Sequence, residues 1–297
     1  MSRRGEFNHI PLGPWPKGMA NTLRSTEYPA DALLDAVNVN IRRDGTAVTR
    51  LDWEQVLPGN AHSFFRHEGR AFAVVDGDLC ELDPAGATTL MAGAGPVNWT
   101  VLNGKPVFAT SQSVFEIDGT LVSEVSGVDI DDLDMDDELI PLPGGQWVEY
   151  WNGRLVVARG ASLLFSEPLR YGAHNPMTGY VRFPKRVEWV APLEDGIYVG
   201  LRGSVVFLQG NTPSQLTQKT VAQGSAPGMA ITVTGEHLSQ ELAATPRVAV
   251  FFTPSGFTVG LPNGRVVYPQ NNAVRNLPLF RGRLLQSGGR IYAVRGF

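Results

Sequence analysis

Between residues 146 and 210 one short pattern occurs twice in succession, and it restricts the chain to folds assembled from small antiparallel units. The first copy is QWVEYWNGRLVVARGASLLFSEP. An apolar run at 147–151 meets an Asn-Gly pair at Asn152 and Gly153, and further runs at 155–158 and 162–166 are separated by a Gly turn. The second copy, RVEWVAPLEDGIYVGLRGSVVFLQG, keeps the order strand, acidic-Gly turn, strand, Gly turn, strand. Asn-Gly between apolar runs is a strong hairpin signal, because both central residues of a type I′ turn require positive φ. Each copy predicts an antiparallel meander, and two in tandem predict a repeat architecture.

The same unit extends in both directions. HSFFRHEGRAFAVVDGDLCELD has turns at Glu68-Gly69 and Asp76-Gly77, with a fourth strand expected at 87–91. VNWTVLNGKPVFATSQSVFEIDGTLVSEV predicts four strands, at 98–102, 105–110, 113–117 and 120–125. Beyond residue 210, GMAITVTGEHL, RVAVFFTPSGFTVGL and GRVVYP form a looser meander with an inserted loop around 239–245. Turn glycines at Gly69, Gly104, Gly153, Gly196 and Gly256 recur at intervals of 35, 49, 43 and 60 residues. These scatter around the roughly 40–50 residues of a four-stranded propeller blade.

Two hairpins are left over, at 36–57 with an Asp-Gly turn in RRDG, and at 278–295. Combined, they would make one further blade and protect the edges of a closed ring. The expected fold is therefore all-β: a single β-propeller over 35–297 of about six blades, with five to seven as the range, closed by pairing the N- and C-terminal hairpins. An extended arm with Pro11, Pro14, Pro16 and Pro29 and one helical turn at 30–34 precedes it at 1–34. A β-sandwich is the competing architecture, but it does not account for repeats that each contain a meander. The 33 Gly and 21 Pro, in no low-complexity tract, agree with many short strands and turns.

Enzyme motifs are missing from the sequence. There is no G-x-S-x-G, P-loop or G-x-G-x-x-G, and Gly93/Gly95 and Gly144/Gly145 are expected in turns without a following helix. His9, His62, His67, His174 and His237 fall in no metal-ligand spacing, and His62 and His67 bracket one strand. The single cysteine, Cys80, reads as a buried small hydrophobe and leaves no intrachain disulfide or cysteine-based metal site. The expectation is a non-enzyme with no cofactor and no metal. MSRRGEFNHI lacks the apolar core of a signal peptide, and no run approaches the roughly 18 apolar residues of a membrane span. Synthesis in a reducing cytoplasm without membrane insertion is expected.

Charge is divided along the chain. Residues 1–150 carry 10 Lys/Arg against 23 Asp/Glu, whereas residues 151–297 carry 15 against 6, so a net charge of −4 conceals two halves that attract. Within VDIDDLDMDDELI at 128–140, alternating carboxylates suit Ca²⁺, but the EF-hand glycine is missing and Leu133 and Met135 interrupt the oxygens. A cation site, a loop docking on a basic neighbour through Asp131, Asp132, Asp136 and Asp137, and an inert loop all remain open. After Glu241 there are only basic charges, at Arg247, Arg265, Arg275, Arg281, Arg283, Arg290 and Arg295, suited to an acidic protein flank or to phosphate. Trp15, Trp53, Trp99, Trp147, Trp151 and Trp189 fall mostly in strands, as core or as a ligand cage.

Two segments carry a family resemblance: GPWPKGMANTLRSTEYPADALLDAVNVNIRRDGTAVTR and WNGRLVVARGASLLFSEPLRYGAHNPMTGYVRFPKRVEWVAPLEDGIYVGLRGSVVFLQG. Both resemble virion structural proteins of tailed bacteriophages, of the β-propeller kind found in the tail nozzle or tail-tube region of short-tailed phages. The resemblance implies a structural role in the tail of the virion and other phage tail proteins as partners. It also implies several copies in a ring or symmetric assembly whose lumen passes DNA without sequence preference. It implies no catalytic residues and no cofactor. Contacts are expected at Trp15 and Arg24 of the arm, at the four aspartates named above, and at Arg281 and Arg283. Arg170, Tyr171, His174 and Tyr180 are expected to add to them from the long connection SEPLRYGAHNPMTGYVRFP. The alternative reading is a carbohydrate-binding or glycan-cleaving propeller acting on the host envelope, with Trp151, Glu167, Tyr171 and Tyr180 as its clustered candidates.

Overall fold

A computed structural model describes residues 39–41, 47–49, 59–125, 139–238, 244–269, 281–287 and 290–295. Among them the regular structure is antiparallel strand, with only short 3₁₀ turns at Pro213–Gln215, Gly235–His237 and Pro262–Gly264. Strands β1 (Val39–Ile41) and β2 (Ala47–Thr49) pair as a hairpin. The first sheet is β3 (Ala61–His67), β4 (Arg70–Val75), β5 (Asp78–Asp83) and β6 (Gly86–Met91) in chain order. The second is β7 (Asn98–Leu102), β8 (Lys105–Ala109), β9 (Val114–Asp118) and β10 (Leu121–Glu124).

The third sheet has six strands: β11 (Ile140–Pro141), β12 (Trp147–Trp151), β13 (Arg154–Arg159), β14 (Ser162–Glu167), β15 (Arg170–His174) and β16 (Tyr180–Arg182). The fourth is β17 (Val187–Leu193), β18 (Gly196–Leu201), β19 (Ser204–Gln209) and β20 (Thr217–Gln223). The fifth is β21 (Ala230–Val233), β22 (Val248–Thr253), β23 (Gly256–Gly260) and β24 (Val266–Val267). Strands β25 (Gly282–Ser287) and β26 (Arg290–Arg295) form the last hairpin. The arrangement is consistent with a β-propeller-like fold. Trp15, Arg24, Trp53, His9, Asp131, Asp132, Asp136, Asp137 and the helical turn expected at 30–34 lie outside the described residues.

Turn chemistry accounts for the hairpins. Asn103 (φ 50) with Gly104 (φ 77), and Asn152 (φ 45) with Gly153 (φ 77), adopt the paired positive φ that a type I′ turn requires. Gly196 is different from the turn glycine expected of it. It opens β18, and a Cβ there would strike the Leu208 carbonyl and the Phe207 ring, so close packing is what requires glycine. In the same sheet the Trp189 indole lies against Gly200, its cross-strand partner.

Burial grades outward through each sheet. Central strands such as β18 are buried at every position, as a strand covered on both faces must be, whereas the outer strands β6 and β10 have no buried position and the outer strand β20 is largely exposed and polar. Polar outer strands blunt sheet edges that would otherwise template aggregation. Cys80 is buried, as the sequence predicts.

The first strands of successive sheets lie side by side, β7 against β12, β12 against β17, β17 against β21 and β21 against β25. Neighbouring sheets are joined by side chains that reach backbone. The Asn98 and Thr100 side-chain oxygens accept from the amides of Val148 (3.0 Å) and Tyr150 (3.2 Å), linking β7 to β12. Trp99 donates its indole N–H to the Ser63 carbonyl at 2.7 Å, and Trp151 donates to the Leu193 carbonyl at 3.0 Å. The Tyr198 hydroxyl donates to the Leu261 carbonyl at 2.6 Å, tying the fourth sheet to the fifth. Each such bond satisfies a polar group that burial would otherwise penalise by about 1–3 kcal/mol.

The connection at 165–186, expected as an irregular excursion, forms strand. β14 pairs with β15 near its C-terminus, where Glu167 faces Arg170, and with β16 near its start, where Leu164 faces Tyr180. A register shift at Ser166/Glu167 allows one strand to serve both partners. β11 then adds to the outside of β15.

Candidate functional site

The converging first strands frame a cavity of about 720 Å³, in the range typical of small-molecule sites. Its walls come from β3, β4, β7, β12, β21 and β25, with Arg247 contributed from the residue before β22. No single segment of the chain makes this site.

Local structure aims its side chains. In β3 two residues, Ser63 and Phe64, oppose one on β4, a bulge in which Ser63 takes φ 55. Ser63 thereby turns to β7, where its hydroxyl accepts from the Val97 amide at 3.1 Å, and Phe64 is left on the cavity lining with 49% of its surface exposed. Such re-aiming is a common consequence of bulges. In β12 the period of two puts Trp147 and Glu149 on one face.

Arg283 of β25 spans the cavity wall. Its guanidinium carbon lies 4.7 Å from the centroid of the Trp147 ring, and Nη2 donates to the Val97 carbonyl at 3.2 Å. Glu149 Oε1 accepts the Trp147 indole N–H at 3.1 Å. Burial pushes the Glu149 carboxyl up to about 8, against the opposing pull of Trp147, Arg247, Arg283 and Thr100. Burial also brings Arg283 down to about 10, which leaves it charged at neutral pH. His62 is lowered by burial and then by Arg283. Among the described residues, neither Arg247 nor Arg283 has a carboxylate within the 4.0 Å of an ion pair. The cavity lining thus holds three arginines (Arg66, Arg247 and Arg283), one carboxyl biased towards its neutral form, and aromatic walls.

Most residues singled out from the sequence lie elsewhere. Arg170 and Tyr180 are exposed on the outer edge of the third sheet, and Tyr171 is half-buried with its ring 6.3 Å from Tyr150. His174 is 3% exposed with Nδ1 2.9 Å from the Phe165 carbonyl, so it supports the edge from within and is not a surface contact. Arg281 is exposed. Among the described residues, Arg283 alone of the expected contacts lines the cavity. Of the cluster expected for a glycan site, Trp151 is buried and bonded to the Leu193 carbonyl, and Glu167 lies 3.7 Å from Arg154. Glu149 and Phe64 were not singled out, and Arg247 was named only as one of the basic residues after Glu241. A carboxylate in the middle of the apolar run WVEYW was the one local sign. Among the described residues no group of three His, Cys, Asp or Glu converges to hold a metal, and no helix is long and apolar enough to cross a membrane.

No family model matches the sequence, and no curated protein is significantly similar to it. Among solved structures, an extracellular domain from B. thetaiotaomicron aligns with a TM-score of 0.50 at 9% identity, over 79% of this chain and 32% of its own. An auxiliary nutrient binding protein from Bacteroides thetaiotaomicron VPI-5482 aligns at 0.45 and 12% identity, over 75% of this chain and 62% of that one. PorZ, a surface component of the type-IX secretion system of Porphyromonas gingivalis, aligns at 0.42 and 12% identity, over 87% and 33%. The chain spans about a third of the length of the first of these. At such identity the likeness is one of fold alone.

Proposed function

We propose that the chain is a six-bladed β-propeller that serves, without catalysis, as a structural component of a bacteriophage tail, in contact with other tail proteins. In this reading the arm at 1–34 precedes a propeller at 35–297, and the hairpins β1–β2 and β25–β26 together supply the sixth blade. The serial contacts of the first strands support closure, as does the Arg283–Val97 bond across 186 residues of sequence.

One observation carries the contact role. Of the six large hydrophobic side chains exposed among the described residues, four belong to the third sheet and its turns: Ile140 (40%) on β11, Leu169 (74%) in the turn after β14, Met177 (74%) between β15 and β16, and Tyr180 (46%) on β16. Concentrated apolar exposure marks surfaces that a partner covers, and the neighbouring Arg170 and Tyr180 are residue types enriched there. Leu169, Met177 and Tyr180 fall within the segment that resembles phage tail proteins, and Ile140 precedes it. Mass spectrometry of purified particles tests the assignment: the protein is expected in stoichiometric amounts, and its absence would end this reading. Hydrolysis of a glycan by the usual route calls for two carboxylates about 5–10 Å apart, whereas Glu149 is the sole carboxylate on the described cavity lining.

A further inference from the structure

We propose that the cavity among the first strands is a binding site for a small sugar acid, a mono- or disaccharide-sized ligand whose carboxylate is held by Arg247 and Arg283. The inference rests on the cavity and not on the tail assignment.

The observations select this ligand class stepwise. Three arginines line one cavity, Arg66, Arg247 and Arg283, none with a carboxylate within ion-pair distance among the described residues, which favours an anion, and a guanidinium recognises a planar carboxylate bidentately. Arg283 is already oriented by the Trp147 ring beneath it and by its bond to Val97, so little rotamer freedom is lost on binding. The remaining lining is neither purely apolar nor basic. Thr100, Thr232, Gln286 and the Glu149 carboxyl offer hydrogen bonds suited to hydroxyl groups, and Phe64 offers an exposed aromatic face for the C–H side of a sugar ring. A phosphate fits less well, because it leaves the exposed Phe64 face and the hydroxyl-matching Thr232 and Gln286 unused. A polyhydroxylated monoanion uses all three features at once.

The test is a titration of the full-length protein with glucuronic acid and N-acetylneuraminic acid, followed by calorimetry and by tryptophan fluorescence. Glucose, N-acetylmannosamine and inorganic phosphate are the comparison ligands. At least one sugar acid is expected to saturate, with the neutral sugars and phosphate weaker by about tenfold or more, the loss of one charge-assisted contact. Arg247→Gln, at an exposed position, is expected to weaken the sugar acid by about tenfold without changing the melting temperature. Arg283→Lys, which keeps the charge but loses the fork, checks the second contact and should also weaken binding. No saturation by any sugar acid, equal binding of the neutral sugars, phosphate binding as tightly, or an unaltered affinity in both arginine variants would each overturn the proposal.

Discussion

The third and fourth sheets begin from nearly the same sequence unit and end differently. In the fourth, β17 to β20 run as a plain meander: β18 is buried throughout, Gly200 admits the Trp189 indole, and the outer strand TQKTVAQ is polar. In the third, the position of the fourth strand is divided between β15 and β16, β11 adds beyond β15, and exposed Leu169, Met177 and Tyr180 appear where the fourth sheet places Thr, Gln and Lys. Their inner strands diverge as well, since β17 is nearly all buried whereas β12 turns Glu149 to the cavity. Where the repeat is kept the chain builds core, and where it is broken the chain presents side chains that intramolecular packing does not use.

The largest effect is expected from the regular sheet. Trp189→Ala removes a fully buried indole that packs on Phe251 and bonds Ser225, and should cost about 3–5 kcal/mol in chemical denaturation. Gly200→Ala, one methyl placed into that indole, should cost about 1–3 kcal/mol. If either variant unfolds like the parent, the fourth sheet is not the packed unit described above.

Glu149→Gln comes next and acts through pH. The folded carboxyl keeps its proton to about 8, whereas the unfolded one releases it near 4.5, so the folded state binds the extra proton between those values. Stability of the parent should therefore fall as pH rises through that window, and the Gln variant should lack this slope and be the more stable above pH 8. Parallel thermal denaturation curves for the two proteins at pH 5 and pH 8.5 would contradict the assigned burial.

At the third sheet's edge the expected change in stability is small. Leu169→Asp and Met177→Asp, both largely exposed, should leave denaturation midpoints within about 0.5 kcal/mol of the parent while abolishing assembly contacts. Glu167→Gln, which loosens an ion pair of 3.7 Å to Arg154, should likewise cost little, under about 1 kcal/mol.

Much of this contrast was readable in advance only on its regular side. The type I′ turns at Asn103-Gly104 and Asn152-Gly153 and the strand at Trp147–Trp151 follow from local chemistry, because a turn's φ demand and a period of two are written in adjacent residues. The edge strands RYGAH and YVR carry Gly and His without clean alternation, and their pairing is chosen by β14 rather than by themselves. The cavity was less legible still. Phe64, Glu149, Arg247 and Arg283 meet only because first strands far apart in sequence converge, and no spacing between them encodes that meeting.

The central claim, that the irregular edge of the third sheet is an assembly contact, is tested most directly by competing the Leu169→Asp/Met177→Asp protein against the parent for incorporation into phage particles. The account predicts that the parent is found in purified particles and that the equally folded variant is excluded. Equal incorporation of both proteins, or absence of the parent from the particles, would contradict it.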